Sequence, residues 1–198
     1  MKISVILAHP RPGSFNHAIA ETVTATLRES GHPVAFHDLY GENFDPLLPP
    51  AEIPRDATLP PAIALHCREI AEADGIVIVH PDWWGMPPAI LKGWIDRVLR
   101  PGVAYRFAET DSGEGIPEGL LAARAALVFN TSNTPAGREQ EVFGDPLERL
   151  WKDCVFSFCG VPEFRRRMFG VVVTSTGEQR KGWLDEVSQM TRDTFLPE

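Results

Sequence analysis

Five short strand-like runs alternate with stretches whose apolar residues recur every three or four positions. The runs lie at residues 3–8, 33–39, 75–80, 125–130 and 170–174. A short continuous apolar run, as at 3–8, is typical of a strand covered on both faces. Strands that alternate with helices predict a parallel sheet with helices on both faces and right-handed crossovers. The predicted fold class is therefore α/β, a three-layer sandwich.

The number of strands favours one arrangement of that sheet. Five strands fit the flavodoxin-like order 2-1-3-4-5 better than the six-stranded dinucleotide-binding order. The first predicted helix begins after Ser14. The other predicted helices occupy residues 63–73, 90–99, 147–158 and 183–190. Residues 41–61 carry six prolines and predict a long loop, which in compact domains is often functional. In either order a ligand binds beyond the carboxyl ends of the strands, beside strand 1.

Composition limits the classes of function. The 198 residues suit one domain spanning 1–198, and the net charge of −8 argues against nucleic acid as a partner. We find no apolar run long enough to cross a bilayer and no features of a signal peptide. Three cysteines without metal-binding spacing predict buried thiols and no metal site. We therefore expect a cytoplasmic protein without membrane insertion.

A polar turn connects the first predicted strand to the first predicted helix. Two prolines and Gly13 end the strand, and Ser14 and Asn16 are both good N-cap residues. A helix N-terminus at the carboxyl edge of a sheet offers free N–H groups and a positive dipole end, which suits phosphate. The turn matches neither the dinucleotide fingerprint nor the glycine–lysine phosphate loop. An ordinary capped turn is the alternative, but the surplus of polar residues favours an anion site.

The loops after strands 1, 3 and 4 lie side by side in the predicted order. The second of them contains Trp83, Trp84 and Gly85, which would let a flat ring lie against the backbone. The third, at residues 130–134, offers hydroxyls and amides for the polar edge of a heterocycle. A flat ring with a phosphate tail describes a flavin nucleotide. The alternatives are core or interface tryptophans, ordinary turn chemistry at 130–134, and a structural role for His9.

Several blocks of the sequence resemble the NAD(P)H:quinone oxidoreductase family of flavodoxin-like NAD(P)H dehydrogenases. The similarity covers roughly residues 1–135. The matching blocks are His9-Pro10…Ser14-Phe15-Asn16…Ala18, Asp38-Leu39-Tyr40…Asn43-Phe44-Asp45-Pro46, Pro81…Trp84 and Pro88-Ala89-Ile90-Leu91-Lys92-Gly93-Trp94-Ile95-Asp96-Arg97-Val98.

The resemblance implies a flavin-binding homodimer and assigns a role to each loop. Residues that match the family's phosphate-binding block are His9, Ser14, Phe15 and Asn16. Those expected along the flavin ring are Pro81, Asp82, Trp83, Trp84 and Gly85, with Trp84 the clearest counterpart. Those expected at the polar edge of the ring are Asn130, Thr131, Ser132 and Asn133. The segment with Tyr105 and Phe107 would line the substrate site by reaching over the flavin of the partner subunit.

This chain departs from the larger members of that family in two places. Phe143 stands where they place a histidine, and no tyrosine precedes it, so their charge relay cannot be carried over. The chain also ends at Glu198, before the extension that holds an FAD adenine in those members. This favours FMN, with FAD as the alternative.

The implied activity is two-electron reduction of a quinone or similar acceptor by NAD(P)H, with the flavin carrying the chemistry. The alternative is a non-enzymatic flavin protein, either an electron carrier or a regulatory subunit of a membrane transporter. A hydrolase is the weaker third option, because the chain has no Gly-x-Ser-x-Gly elbow.

Overall fold

The computed structural model of the protein describes residues 1–107, 115 and 117–195. Its main sheet contains β1 (Ile3–Leu7), β2 (Val34–Asp38), β3 (Gly75–Pro81), β6 (Ala125–Thr131) and β7 (Glu163–Phe169). Between β3 and β6, the two-residue strands β4 (Tyr105–Arg106) and β5 (Glu118–Gly119) form a separate antiparallel pair.

The five main strands are parallel and lie in the order β2-β1-β3-β6-β7. Counted along the chain among the main strands, this is the order 2-1-3-4-5. The predicted flavodoxin-like α/β fold is confirmed.

Helices cover both faces of this sheet. They are α1 (Phe15–Glu29), α2 (Pro61–Ala71), α3 (Ala89–Val98), α4 (Ala136–Glu141), α5 (Pro146–Arg149) and α6 (Gly177–Thr194). A π-helical segment, Leu150–Ser157, continues α5, and short 3₁₀ turns lie at Pro50–Glu52 and Val172–Thr174. The sequence had not predicted α4.

The two faces of the sheet build two separate cores because side chains alternate along each strand. Val5, Val77 and Leu127 point to the face covered by α1 and α6. Their neighbours Ile6, Ile78 and Val128 point to the other face, which is covered by α2, α3 and the helical segment 146–157. All six side chains are at most 1% exposed. The near-continuous apolar runs in the sequence follow from this double burial.

The strand predicted at residues 170–174 is wrong, since the fifth main strand is β7, Glu163–Phe169. This strand lies at the edge of the sheet and carries three consecutive arginines, so its sequence lacks the apolar run of a central strand. Residues 172–174 form a 3₁₀ turn after the strand has ended, and Val173 is 71% exposed. A β-branched apolar run therefore marks a loop here.

The helix predicted at 147–158 exists, but its exposed face differs from the prediction. Cys154 is exposed, whereas Cys67 and Cys159 are buried as expected. The segment that contains Cys154 is π-helical, and its longer repeat rotates residues away from a stripe drawn with 3.6-residue spacing. Trp151 and Val155 remain buried.

The long loop at 41–61 is anchored to α3. Glu52 is 4% exposed and accepts a hydrogen bond from Nε of Arg97 at 2.9 Å. Gly93 lets α3 approach this loop closely, because a Cβ at that position would lie 2.2 Å from the carbonyl oxygen of Pro46. The glycine of the Ala-Ile-Leu-Lys-Gly-Trp block is thus required by packing.

We predict that Gly93→Ala destabilises the protein by about 1–3 kcal/mol, because either α3 or the loop must move away. Gly182→Ala is the matched control: Gly182 lies inside α6 and its Cβ would contact nothing within 4 Å. That change should stabilise the protein by about 0.5–1 kcal/mol through helix propensity. Urea unfolding of both variants measures the difference. Equal stability of the two variants would contradict the packing role of Gly93.

Candidate functional site

A cleft of about 1370 Å³ opens at the carboxyl edge of the sheet. The loops after β1, β3 and β6 all contribute to it. The predicted site residues that line it are His9, Ser14, Phe15, Asn16, Pro81, Asp82, Trp83, Trp84, Gly85, Thr131, Ser132 and Asn133.

Direct contacts hold the three loops together. Nδ2 of Asn16 donates to Oγ1 of Thr131 at 2.8 Å, which connects the first loop to the third. The amide of Asp82 donates to the carbonyl of Thr131 at 2.7 Å, which connects the second loop to the third. The rings of His9 and Trp83 lie 6.3 Å apart, between the first loop and the second. The predicted meeting of the loops is therefore present in the structure.

Ser14 is the N-cap of α1, as predicted. Its hydroxyl accepts from the amide of His17 at 3.4 Å and lies 2.9 Å from Nδ1 of the same residue. His17 is half-buried, and its Nε2 lies 3.5 Å from Oδ2 of Asp38. Phe15 and Asn16 of the first turn of α1 line the cleft, and their amides have no carbonyl of their own helix to bond. This end of the cleft therefore suits an anion.

Asn16 contributes a buried polar group whose hydrogen bonding is incomplete. The residue is 2% exposed, and its Oδ1 has no hydrogen-bond partner among the described residues. Its Nδ2 is fixed by Thr131, so the carboxamide has one orientation in this arrangement. Buried acceptors without a partner are rare in folded proteins and favour an external donor at this position.

Trp83 and Trp84 belong to a tight turn between residues 83 and 86. The backbones of Trp83 and Met86 exchange two hydrogen bonds, at 3.0 and 3.1 Å. Both central residues have positive φ, 61° at Trp84 and 68° at Gly85, as in a type I′ turn. This conformation is strained for tryptophan, and its side chain is 97% exposed. Strain and exposure of a large aromatic side chain together favour a binding role for Trp84.

The wall beside the third loop is built by the segment that follows β7. Oδ1 of Asn133 accepts from the amide of Val173 at 2.9 Å, and the amide of Ser132 donates to the carbonyl of Phe169 at 2.8 Å. Val172 and Val173 line the cleft for this reason. The sequence missed them because their apolar run was assigned to a strand.

Three predicted site residues do not line the cleft of their own chain. Asn130 is fully buried, and its Oδ1 accepts from Nε of Arg166 at 2.9 Å. Tyr105 packs against Phe158 and Phe107, with ring centroids 5.0 and 5.8 Å apart. Tyr105 and Phe107 therefore form an aromatic group of their own beside the β4–β5 pair.

The cleft also contains residues that were not predicted for the site. Gly13, Thr134 and Ala18 extend the predicted loops, and Arg11 and Phe143 also line the cleft. Others come from elements that the sequence did not connect to the site, namely Glu139 of α4 and Gly177, Arg180, Lys181 and Leu184 of α6. α4 was not predicted, and α6 starts six residues before the helix predicted at 183–190. No pattern in the sequence therefore indicated that these residues of α4 and α6 lie at the carboxyl edge of the sheet.

Burial shifts the acid–base behaviour of three groups in the cleft. It lowers the pKa of His9, whose Nδ1 accepts from the amide of Arg11 at 3.1 Å. It raises the pKa of Asp82, whose Oδ1 accepts from the amide of Gly85 at 2.9 Å. Burial, followed by the charge of Asp82, raises the pKa of Glu139. At neutral pH the imidazole is therefore uncharged, and the two acids retain protons more readily than free carboxyls.

A histidine cluster elsewhere in the fold has the composition of a metal site. One ligand atom from each of His37, Glu42 and His66 lies within 4.8 Å of the others. Nε1 of Trp94 donates to Nδ1 of His66 at 3.1 Å, so the neutral ring carries its proton on Nε2, 3.2 Å from Glu42. Burial lowers the pKa of His66 to about 4. Hydrogen bonds account for this cluster, and none of its residues lines the cleft.

Comparison with known proteins assigns the chain to a family. A family model described as a flavodoxin-like fold matches residues 1–190. An uncharacterized NAD(P)H oxidoreductase of Haemophilus influenzae is 33% identical over 192 residues, covering 95% of this chain and 93% of that protein. The chain belongs to the NAD(P)H:quinone oxidoreductase family. The resemblance found in the sequence, and the expected NAD(P)H dehydrogenase (quinone) type of enzyme, are confirmed.

Two further members of the family are similar over most of this chain. NAD(P)H dehydrogenase [quinone] 1 of Rattus norvegicus is 34% identical over 179 residues, covering 79% of this chain and 64% of the rat protein. The structure of the NAD(P)H:quinone oxidoreductase from Methanothermobacter marburgensis superimposes with a TM-score of 0.81 at 26% identity, covering 98% and 96% of the two chains. In the present chain, none of the helices among the described residues is both long enough and apolar enough to cross a bilayer.

Proposed function

We propose that this protein binds a flavin nucleotide in the cleft and uses it to reduce quinones or similar acceptors by two electrons at the expense of NAD(P)H. The observation that carries the proposal is the meeting of three kinds of group in one cleft. These are a helix N-terminus suited to phosphate, an exposed tryptophan on a strained turn, and a loop of hydroxyl and amide side chains.

One end of the cleft has the chemistry of a nucleotide phosphate site. The first turn of α1 and the hydroxyl of Ser14 provide donors, and Arg11 and Lys181 line the cleft with positive charge. The buried Oδ1 of Asn16 is an acceptor that suits a ribityl hydroxyl. We propose FMN as the cofactor. FAD is the alternative, in which Arg180 and Lys181 would also meet the second phosphate.

The other end of the cleft has the chemistry of a flavin ring site. The indole of Trp84 has few contacts within its own chain and is available to lie against a flat ring. Gly85 has no side chain to block a close approach to the backbone. The hydroxyls and amides of Thr131, Ser132 and Asn133 supply partners for the polar edge of the ring.

A bound flavin supplies the two-electron chemistry, and the residues of the chain supply binding, orientation and electrostatics. In these loops the amides of Trp83, Gly85, Met86 and Ser132 already donate to acceptors within the chain. The amides of Trp84 and Asn133 would therefore be the ones to offset negative charge at the ring. His9 is a neutral hydrogen-bond donor in this scheme. Its Nδ1 already accepts from Arg11, so the proton is on Nε2, and its lowered pKa keeps the ring uncharged at pH 7.

The visible spectrum of the purified protein tests this proposal. We expect flavin absorbance that NAD(P)H bleaches without oxygen and that a quinone restores. Mass spectrometry of the released cofactor distinguishes FMN from FAD. A colourless protein that takes up neither nucleotide on titration would refute the flavin proposal.

Asn16→Ala should weaken flavin binding by about 1–3 kcal/mol, because it removes a buried partner of the ligand and leaves Thr131 without its donor. The fold should persist, since Ser14 still caps α1. Glu21→Ala is the matched control, an exposed position on the same helix. Fluorescence titration of both proteins with FMN measures the change. Equal affinities would mean that the first loop does not hold the cofactor.

We also propose that residues 1–198 form one domain that works as a homodimer, in which Tyr105 and Phe107 cover the partner's cleft. The proposal is supported by their position outside the cleft of their own chain and by the enrichment of aromatic residues at interface centres. A two-fold contact would use the same segment twice.

Tyr105→Ala should therefore raise the KM for quinone several-fold while flavin content changes little. Light scattering at micromolar concentration, combined with steady-state kinetics, measures both parts of the proposal. A monomer with full quinone reductase activity would show that each site is complete within one chain.

A further inference from the structure

Ser14, His17 and Asp38 form a chain of polar contacts behind the anion end of the cleft. Oγ of Ser14, a residue that lines the cleft, lies 2.9 Å from Nδ1 of His17. The other ring nitrogen, Nε2, lies 3.5 Å from Oδ2 of Asp38 at the end of β2. Oδ1 of the same carboxyl accepts from the amide of Tyr40 at 3.2 Å, which fixes its orientation. His17 is not among the residues that line the cleft, so its effect on a ligand passes through Ser14.

The hydrogen-bonding capacity of the Ser14 hydroxyl decides what it can offer a ligand. A hydroxyl has one O–H donor and two acceptor lone pairs. One lone pair already accepts from the amide of His17 at 3.4 Å, which is the N-cap contact of α1. The direction of the O–H bond therefore depends on whether Nδ1 of His17 carries a proton or a lone pair.

A neutral His17 ring turns the hydroxyl proton of Ser14 away from the cleft. The carboxylate of Asp38 favours the tautomer with its proton on Nε2, because the other neutral tautomer places a lone pair against a negative charge. Nδ1 is then an acceptor, and the hydroxyl donates its only proton to it. Ser14 presents a lone pair to the cleft in this state, and a lone pair repels the oxygens of a phosphate.

A protonated His17 ring reverses this arrangement. Nδ1–H donates to Oγ of Ser14, and Nε2–H faces the carboxylate of Asp38. Both lone pairs of the hydroxyl are then used, and its O–H is free to donate to a ligand oxygen. The side chains of His17 and Asp38 are only 13% and 27% exposed, so solvent screens their charges less than at an open surface.

The other charged and titratable groups that face His17 come from α1 and from the loop after β1. The ring of His9 lies 6.1 Å away between centroids, and burial lowers its pKa, so it is uncharged at pH 7. Glu21 follows His17 by one turn of α1 and adds negative charge on the same face, which favours the cation. Arg11 lines the cleft and attracts an anion at any pH. At neutral pH, His17 is the group of this set whose charge a bound phosphate can change.

We propose that His17 is a positioning residue for the phosphate of the ligand, and that binding of this phosphate takes up a proton at His17. The imidazolium turns the hydroxyl of Ser14 toward the cleft and places a positive charge behind it. This inference rests on the proposed function and specifies how the cleft selects a phosphorylated flavin over riboflavin. Affinity for the nucleotide should therefore fall as pH rises, since the neutral ring withdraws both the donor and the charge.

Titration of the flavin-free full-length protein with FMN tests this coupling by fluorescence, with FAD in its place if FAD is the nucleotide that the purified protein releases. His17→Asn keeps an N–H donor near Ser14 but cannot be protonated. The dissociation constant of the wild type relative to this variant should rise about tenfold between about pH 5.5 and about pH 8. The ratio cancels the titration of the phosphate of FMN, which both proteins experience equally.

Two controls separate this effect from a merely structural one. Riboflavin has no phosphate, so the same ratio should not change with pH when riboflavin is the ligand. Glu29→Gln, at an exposed position near the end of α1, should follow the wild type with FMN at every pH. Circular dichroism of each flavin-free variant checks that it is folded.

Asp38→Asn tests the other end of the chain of contacts. Loss of the carboxylate makes the cation of His17 less favourable, so FMN affinity should fall at a lower pH than in the wild type. This shift differs from the absence of the pH dependence expected in His17→Asn. The comparison also provides a second variant should one of the two fail to fold.

Isothermal titration calorimetry measures the proton itself. Binding of FMN in buffers of different ionisation enthalpy gives the number of protons taken up, without any measurement of activity. The wild type should take up more protons than His17→Asn, and the excess should disappear at high pH, where phosphate binding no longer protonates the ring.

The outcomes distinguish this inference from the proposed function. If FMN binds but the wild type and His17→Asn show the same pH dependence and the same proton uptake, the role of His17 is overturned and flavin binding stands. A pH effect of equal size with riboflavin would also overturn it, because the phosphate would then play no part. A protein that binds neither FMN nor FAD at any pH would refute the proposed function and this coupling with it.

Discussion

The register of the parallel strands fixes where each part of the cleft lies. Leu7 pairs with Val79, and Val79 pairs with Phe129, so β1, β3 and β6 reach the same edge of the sheet at nearly the same level. The chain leaves the sheet within a few residues of each pairing. Short loops are then sufficient to bring polar groups together, because the sheet has already placed their starting points side by side. Contacts such as that between Asn16 and Thr131 follow from this register.

Buried polar groups beneath the second and third loops hold them in position. His80 is fully buried, accepts from Nε1 of Trp151 at 3.0 Å and donates from Nδ1 to the carbonyl of Pro81 at 2.8 Å. Both ring nitrogens have partners only in the neutral form, and burial lowers the pKa of His80 to about 4. Arg166 supports Asn130 in a similar way. These side chains are buried because their hydrogen bonds compensate for lost hydration.

The sequence predicted those parts of the fold that local patterns determine. Four main strands and the N-cap at Ser14 follow from apolar runs and capping chemistry, and both are present in the structure. β7 escaped prediction because it is an edge strand, where side chains need less burial and arginines are tolerated. The loops after β1, β3 and β6 were predicted to meet because the order of a parallel sheet implies their adjacency. Glu139 and Arg180 were missed because only tertiary packing brings their helices to the cleft.

Asn130 shows the limit of assigning a site from consecutive residues. It was grouped with Thr131, Ser132 and Asn133, yet it is still part of β6, where successive side chains point to opposite faces. Thr131 therefore faces α1 and bonds to Asn16, whereas Asn130 faces the other way and bonds to Arg166. The position of the boundary between β6 and the loop decides which of these side chains faces the cleft. Sequence patterns locate such boundaries poorly.

Charge is distributed unevenly along the cleft, although the chain as a whole carries a net charge of −8. Arg11, Arg180 and Lys181 lie on the side formed by the first loop and α6, while Asp82 and Glu139 lie on the side formed by the 83–86 turn and α4. A ligand with an anionic tail and a neutral ring is stabilised in one orientation only, with the tail toward α1 and α6. Reversal would bring phosphate against two carboxyls. The electrostatics of the cleft thus orient such a ligand before any contact specific to its ring is made.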